Sequence, residues 1–168
     1  ATPIVPEIPG IDRSNAVMAE DVLLGKASVG QRVVVVGGDL VGCETADFLL
    51  EQGKKVTVTR RGPRLATKMM PILRRVLLDK LAANGIELLT GVQYRGVDGQ
   101  GLAIVDKDGR GRTLEADSIV LAAGFRPDDA LRQALAGKVP ELYAIGDCVE
   151  PRNIMTAIEE GWRVGGSV

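Results

Sequence analysis

The segment that most constrains this chain is Arg32 to Glu44, in which four consecutive valines, Val33 to Val36, run into Gly37-Gly38-Asp39-Leu40-Val41-Gly42. An unbroken β-branched run of this length fits a strand buried on both faces, as in a parallel sheet covered by helices. The glycines that follow turn the strand sharply into a helix from about Leu40 to Gln52, with Val41, Thr45, Phe48 and Leu49 along one side and Gly53 as its stop. This is the pattern G-x-G-x-x-G with one departure. Where the second glycine lets backbone approach a pyrophosphate, the chain has Asp39.

The following residues extend the unit. Val56 to Thr59 reads as a second strand, closing a βαβ unit whose crossover is right-handed. Pro71 opens a helix running through Leu73, Val76, Leu77 and Leu81 to Asn84-Gly85, and Ile86 to Leu89 gives a third strand. Between Val92 and Ala116 the period changes to two, interrupted at Asp98-Gly99-Gln100-Gly101 and Asp108-Gly109-Arg110-Gly111, which predicts a three-stranded meander. Ser118 to Ala122 returns to a buried strand. A short helix from Asp128 to Leu135, a last strand from Leu142 to Ile145 and a helix from Ile154 to Val164 complete the chain. The first thirty residues, with Pro3, Pro6, Pro9 and Gly10, read as an extended connector. The expected fold is α/β, a Rossmann-like doubly wound parallel sheet with an inserted three-stranded meander.

Composition narrows the chemistry. Histidine is absent from the 168 residues, which removes the commonest general base and transition-metal ligand, so hydrolytic catalysis and a metal site are not expected. The two cysteines, Cys43 and Cys148, form no C-x-x-C pair and read as small buried thiols. A net charge of −1 without a basic block, and 3% aromatic residues, argue against nucleic acid as a partner. No apolar run approaches the roughly 20 residues of a membrane span. The N-terminus also shows no signal-peptide pattern, so no membrane partner and a cytoplasmic location are expected.

Four blocks in this order, Gly37-x-Asp39-x-x-Gly42-x-Glu44, the meander, Leu121 to Pro127, and Tyr143-Ala144-Ile145-Gly146-Asp147, resemble the nucleotide-binding region of flavoproteins with two dinucleotide domains. Ile8-Pro9-Gly10-Ile11-Asp12, Gly42 to Ala46, and Gly146-Asp147-Cys148 with Pro151-Arg152 resemble more closely the NADH:flavin oxidoreductases related to 2,4-dienoyl-CoA reductase and to trimethylamine and histamine dehydrogenase. The resemblance implies a parent with an FMN-binding TIM barrel, an iron–sulfur cluster, and an FAD- or ADP-binding domain into which an NAD(P)-binding domain is inserted. It covers only the insert and the returning end of its host. Residues 1–30 then form the edge of the host, 31–125 the NAD(P)-binding-like domain and 126–168 the return. The barrel and the other FAD half would be the partners, and no catalytic residue and no tightly held flavin are expected on this chain alone.

The site residues follow from the motif and the resemblance. Gly37, Gly38, Leu40, Val41 and Gly42 would cradle the nucleotide phosphates. The resemblance implies that Glu44 faces the nicotinamide end, that Gly124 and Pro127 belong to the crossover block, and that Asp147 bonds the FAD ribityl chain; each also has a plainer use, as an exposed helical carboxylate, a strand stop or a turn cap. At the end of the second strand, where an acidic residue would hold the ribose of NAD, the chain has Arg60-Arg61, which suits a 2′-phosphate and NADP. Asp39 is the open question. Two like charges ~4 Å apart at an effective dielectric of ~20 repel by roughly 4 kcal/mol, a weakening of about a thousandfold. Alternatively its side chain caps the helix and takes the place of phosphate. The amine dehydrogenases of the family resemble this chain in having an acidic residue here, implying an impaired nucleotide site or a structural module. Pairing of Asp39 with Arg60 or Arg61 is expected.

Overall fold

The computed structural model describes residues 1–168. In chain order the strands and helices are β1 Thr2–Pro3, β2 Ala16–Met18, α1 Ala19–Leu23, β3 Arg32–Val36, α2 Leu40–Glu51, β4 Lys55–Arg60, α3 Pro71–Ala83 and β5 Glu87–Thr90. There follow β6 Gln93–Val97, β7 Gly101–Val105, β8 Gly111–Glu115, β9 Ser118–Leu121, β10 Phe125–Arg126, α4 Ala130–Leu135 and α5 Ile154–Gly165. The chain divides into two compact units, Val5–Gly124 and Ala1–Ile4 with Phe125–Val168.

The larger unit is built on a five-stranded parallel sheet in the order β2-β9-β3-β4-β5. Its centre is the valine run: Val33, Val34, Val35 and Val36 are each at most 2% exposed. At roughly 1.5–3 kcal/mol for each buried aliphatic side chain, this strand alone anchors the sheet. Alternate residues serve two cores. Val33, Val35, Val56, Val58 and Val120 face α1, α2 and α3 through Val22, Cys43, Ala46, Leu49 and Leu81. Val34, Val36, Ile119 and Leu121 face the meander β6-β7-β8 through Val97, Leu102, Ile104 and Leu114. The second cover of the sheet is therefore the meander rather than a second layer of helices, which the valine run demands equally, because it requires only that both faces be dry.

Local signals fix the helix ends. Gly53 N–H and Lys54 N–H donate to the carbonyls of Leu50 and Leu49 at 2.9 and 3.1 Å, closing α2 in a Schellman motif. Gly85 and Ile86 do the same for α3, bonding Ala82 and Leu81 at 3.0 and 3.1 Å. The apolar stripe of α3 is turned from its expected position: Leu81 is buried and Leu77 packs beside it, whereas Leu73 and Val76 are exposed. In the meander, Asp98 Oδ1 accepts from the backbone of Gln100 and Gly101, and Asp106 Oδ1 from that of Asp108 and Arg110, so each expected break is an aspartate-capped turn.

The connector is more structured than its prolines suggest. Ala16–Met18 pairs in parallel with Ile119–Leu121 as the sheet's edge strand, and α1 buries Ala19 and Val22. Three residues of edge strand are too few for a readable alternation.

The smaller unit has the antiparallel pair β1-β10, the short helix α4, a 3₁₀ turn at Gly146–Cys148 and α5. No hydrophobic side chain in it is buried. The strand expected from Leu142 to Ile145 does not form. The only strands of this unit, β1 and β10, pair with each other, and a lone strand leaves its backbone groups without ladder partners.

Candidate functional site

The order of the sheet reverses between β3 and β9, and the crevice at the carboxyl ends of those strands is where open α/β sheets bind ligands. Gly37 sits there. Its N–H donates to Thr59 O at 3.0 Å, its φ is +117°, and a Cβ on it would lie 2.1 Å from Ala122 O. Only glycine allows this turn so close to the neighbouring strand. Gly42 lies on the first turn of α2, and a Cβ there would meet Gly37 O at 1.7 Å. The tight turn at Gly37 and the close packing of helix on strand at Gly42 are thus both present in the backbone. Leu40 and Val41 form the start of α2 between them. The first amides of α2 have no partners within the helix, and these are the donors that a nucleotide phosphate takes.

Asp39 occupies the N-cap position with extended backbone, but its side chain makes no cap hydrogen bond. The expectation of a capping carboxylate in the place of phosphate is corrected. The segment between β4 and α3 draws the group sideways: Lys68 N–H donates to Asp39 Oδ1 at 3.2 Å, the Thr67 hydroxyl donates to Oδ2 at 3.2 Å, and Arg60 Nη2 stands 3.3 Å from Oδ2. Burial acts to raise the Asp39 carboxyl, but the Lys68 amide and the Arg60 charge outweigh it, and the group titrates below its ordinary value. The expected pairing of Asp39 with an arginine is present, with Arg60. Arg60 is further committed, donating to Gly38 O at 3.3 Å and to the Thr67 hydroxyl at 3.1 Å.

Arg61 takes a different course. Its guanidinium carbon lies 5.1 Å from the centroid of the Tyr94 ring, a cation–π arrangement, and the residue is exposed. Tyr94 is fixed in turn: its hydroxyl shares a 3.1 Å hydrogen bond with Thr59 Oγ1, which also donates to Val35 O at 2.9 Å. Burial raises the Tyr94 phenol, so it remains neutral at physiological pH.

The remaining site residues are dispersed. Glu44 is exposed on α2, with its carboxyl raised by partial burial. Cys43 is buried, its Sγ 3.6 Å from Gly38 O, and burial pushes its thiol up to about 11, which makes it inert. Cys148 is only half-buried, so the reading of a buried thiol holds for Cys43 alone. Gly124, φ +98°, ends the segment leaving β9. Asp147 belongs to the smaller unit, where its Oδ1 accepts from Arg152 N–H at 3.4 Å. Beside it Glu160 accepts from Gly146 N–H at 2.7 Å and pairs with Arg152. This unit has no parallel sheet and no second glycine turn to hold a flavin dinucleotide by itself.

The sequence reading missed Leu65, Ala66, Thr67, Lys68 and Tyr94. Ala66 N–H donates to Gly38 O at 2.8 Å, and a Cβ on Gly38 would lie 2.2 Å from Leu65 Cδ2, so this loop lies directly on the fingerprint. Its place between Arg60 at a strand end and Pro71 at a helix start was the available signal, because such a connection must pass the carboxyl edge of the sheet. Tyr94 could be found from the alternation of Val92, Tyr94 and Gly96. A concavity of about 500 Å³ is lined by Val22, Ala27, Val29, Phe48, Gln52 and Lys54, near the carboxyl end of α2 and away from the glycine turn.

The family model for pyridine nucleotide-disulphide oxidoreductases matches residues 1–161. The chain belongs to this family. It is 36% identical over 167 residues to an NADH oxidase of Thermoanaerobacter brockii, covering 96% of this chain and 26% of that protein. Among solved structures it is similar to a 2-naphthoyl-CoA reductase in complex with 2-naphthoyl-CoA, with a TM-score of 0.90 and 33% identity over 99% of this chain and 26% of the other. A 6-hydroxypseudooxynicotine amine oxidase from Pseudomonas geniculata N1 shares the fold, with a TM-score of 0.85 at 24% identity, covering 98% of this chain and 26% of the other. The chain thus spans about a quarter of the length of these relatives. As a member of the pyridine nucleotide-disulphide oxidoreductase family, it is a Rossmann-type oxidoreductase domain, and none of its helices is long and apolar enough to cross a membrane.

Proposed function

We propose that this chain is the nucleotide-docking part of a larger flavin-dependent oxidoreductase, holding NAD(P)H over the start of α2 so that its hydride reaches a flavin carried by the rest of the parent. The observation that carries this reading is the glycine turn: at the reversal of strand order, Gly37 and Gly42 leave no room for a Cβ. Closure of that space around backbone alone is what a pyrophosphate cradle requires. Gly38, Leu40 and Val41 complete the cradle, Glu44 lies along α2 toward the nicotinamide, and Gly124 ends the neighbouring strand. With Arg60 engaged by Asp39, Arg61 on the Tyr94 ring is the exposed cation for a ribose 2′-phosphate, favouring NADP.

The parent proposed here is of the NADH:flavin type related to 2,4-dienoyl-CoA reductase, with FMN and an iron–sulfur cluster in a TIM barrel and FAD or ADP in a host domain. On this reading the insert comprises Val5–Gly124, with the edge strand β2 and α1, and the host takes Ala1–Ile4 and Phe125–Val168, in a cytoplasmic setting. The 2-naphthoyl-CoA reductase likeness supports this choice. So does the smaller unit, whose Ile154, Met155, Ile158 and Trp162 are all more than 60% exposed and whose Asp147 would contribute one contact to a flavin site. When bound, the nicotinamide supplies the hydride; these residues bind and orient it. A second reading, a structural module holding ADP or nothing, draws on the Asp39–Arg60 pair at the second glycine position.

Calorimetric titration of the chain with NADPH, NADH and ADP tests the assignment. NADPH is expected to bind more tightly than NADH, and Arg61→Ala to reduce that preference by about tenfold, the loss of one charge-assisted contact. Absence of binding at millimolar NADPH and NADH would overturn the docking role, and ADP binding alone would establish the second reading.

A further inference from the structure

We propose that Asp39 is a specificity-determining residue: by holding Arg60 in an internal ion pair it withholds one of two neighbouring guanidinium groups from a ribose 2′-phosphate, and so narrows the preference for NADPH over NADH. The proposal rests on the docking role above and concerns which dinucleotide that site selects.

Arg60 stands where such a phosphate is read. It is the last residue of β4, one past the pairing of Thr59 with Val36, and its Cβ lies 3.3 Å from where a Cβ on Gly38 would be. A guanidinium grips phosphate bidentately along one of two edges, Nε with Nη2 or Nη1 with Nη2, and both edges include Nη2. In Arg60 that nitrogen donates to Thr67 Oγ1 at 3.1 Å and stands 3.3 Å from Asp39 Oδ2, while Nη1 donates to Gly38 O at 3.3 Å. Neither edge is left complete.

Asp39 fixes this arrangement. Its carboxylate accepts from Lys68 N–H and from the Thr67 hydroxyl at 3.2 Å each, which leaves the Thr67 lone pairs for Arg60. Thr67 and Lys68 directly follow Leu65 and Ala66, which are buried in the core on the helix side, so the partners of the carboxylate are anchored. Glycine at position 39 would supply neither acceptor oxygen, and the departure from the fingerprint and the engagement of Arg60 are therefore one feature. Arg61 is held differently. Its guanidinium lies over the Tyr94 ring, a contact made through the π face that leaves its N–H edges for phosphate. Of the two arginines that end β4 and begin the next loop, one is thus free to grip a 2′-phosphate.

Calorimetric titration with NADPH and with NADH is to compare the natural chain, Asp39→Asn, Asp39→Gly and the double variant Asp39→Asn/Arg60→Gln. Asp39→Asn keeps an oxygen for the Lys68 amide, and Asp39→Gly restores the fingerprint residue. Either replacement is expected to raise the ratio of NADPH to NADH affinity by about tenfold, the gain of one charge-assisted contact, and the added Arg60→Gln to return the ratio to that of the natural chain. An unchanged ratio in both single variants would overturn the proposal, whether neither affinity moves or both rise together, the latter assigning the effect of Asp39 to the pyrophosphate that the two dinucleotides share. A raised ratio that survives Arg60→Gln would assign the effect to direct repulsion of the 2′-phosphate and also overturn it. No binding by any of the four proteins at millimolar NADPH or NADH overturns instead the docking role on which the proposal stands.

Discussion

The charge that Asp39 places at the glycine turn is answered within the protein. The Lys68 amide and Arg60 hold its carboxyl below the usual carboxylate value despite burial. A depressed folded value means that the ionised Asp39 carboxylate stabilises the fold above the unfolded value, and that this contribution is lost as pH falls through the folded one. The Lys68 amide resonance, followed by NMR against pH, should therefore inflect below the ordinary aspartate value of about 3.9. An inflection above about 4.5 would contradict the pairing. Gly42 is a second decisive residue. A methyl group there meets the Gly37 carbonyl, which is backbone and cannot rotate away, so Gly42→Ala should cost about 1–3 kcal/mol in urea unfolding. A change within about 0.5 kcal/mol would show that α2 can move off β3.

Among the elements, α2 and α5 stand at opposite extremes of burial. α2 buries Cys43, Ala46 and Leu49 against the sheet, and its limits follow from Gly37 and Gly53. α5 is capped just as clearly, Asn153 accepting from Thr156 N–H at 2.9 Å, yet it leaves Trp162 82% exposed. Replacing Ile158 and Trp162 together by Gln should leave the free energy of urea unfolding unchanged within about 0.5 kcal/mol and reduce any self-association seen in sedimentation velocity. A marked loss of stability would show that the helix packs against a core. The same contrast explains what could be read in advance. Strands β3, β4 and β9 and the meander were legible because each carries its own period and turn residues. Leu142–Ile145 was misread because an apolar run reports a preference for burial, while a strand also requires a neighbour. The fingerprint was legible at Gly37 and Gly42. The loop at 64–68 was not, because its contacts to Gly38 and Asp39 join segments about 28 positions apart and leave no local pattern.

The whole molecule divides into one unit with two cores and another with no buried hydrophobic side chain, and it spans about a quarter of the length of the relatives it matches. The larger unit contains everything the nucleotide cradle needs: the reversal of strand order, the glycine turn, the start of α2 and the Arg61–Tyr94 pair. Under the proposed function the smaller unit contributes Asp147 and an apolar helix face to a flavin-bearing partner. The central claim, that a nicotinamide dinucleotide docks at Gly37–Gly42, is tested most directly by titrating isotope-labelled protein with NADPH and following every backbone amide by NMR. The account predicts saturable shifts centred on Gly37, Gly38, Asp39, Leu40, Val41 and Gly42 and extending to Arg61. Shifts confined to the concavity around Val22 and Phe48, or no shift at millimolar NADPH, would contradict it.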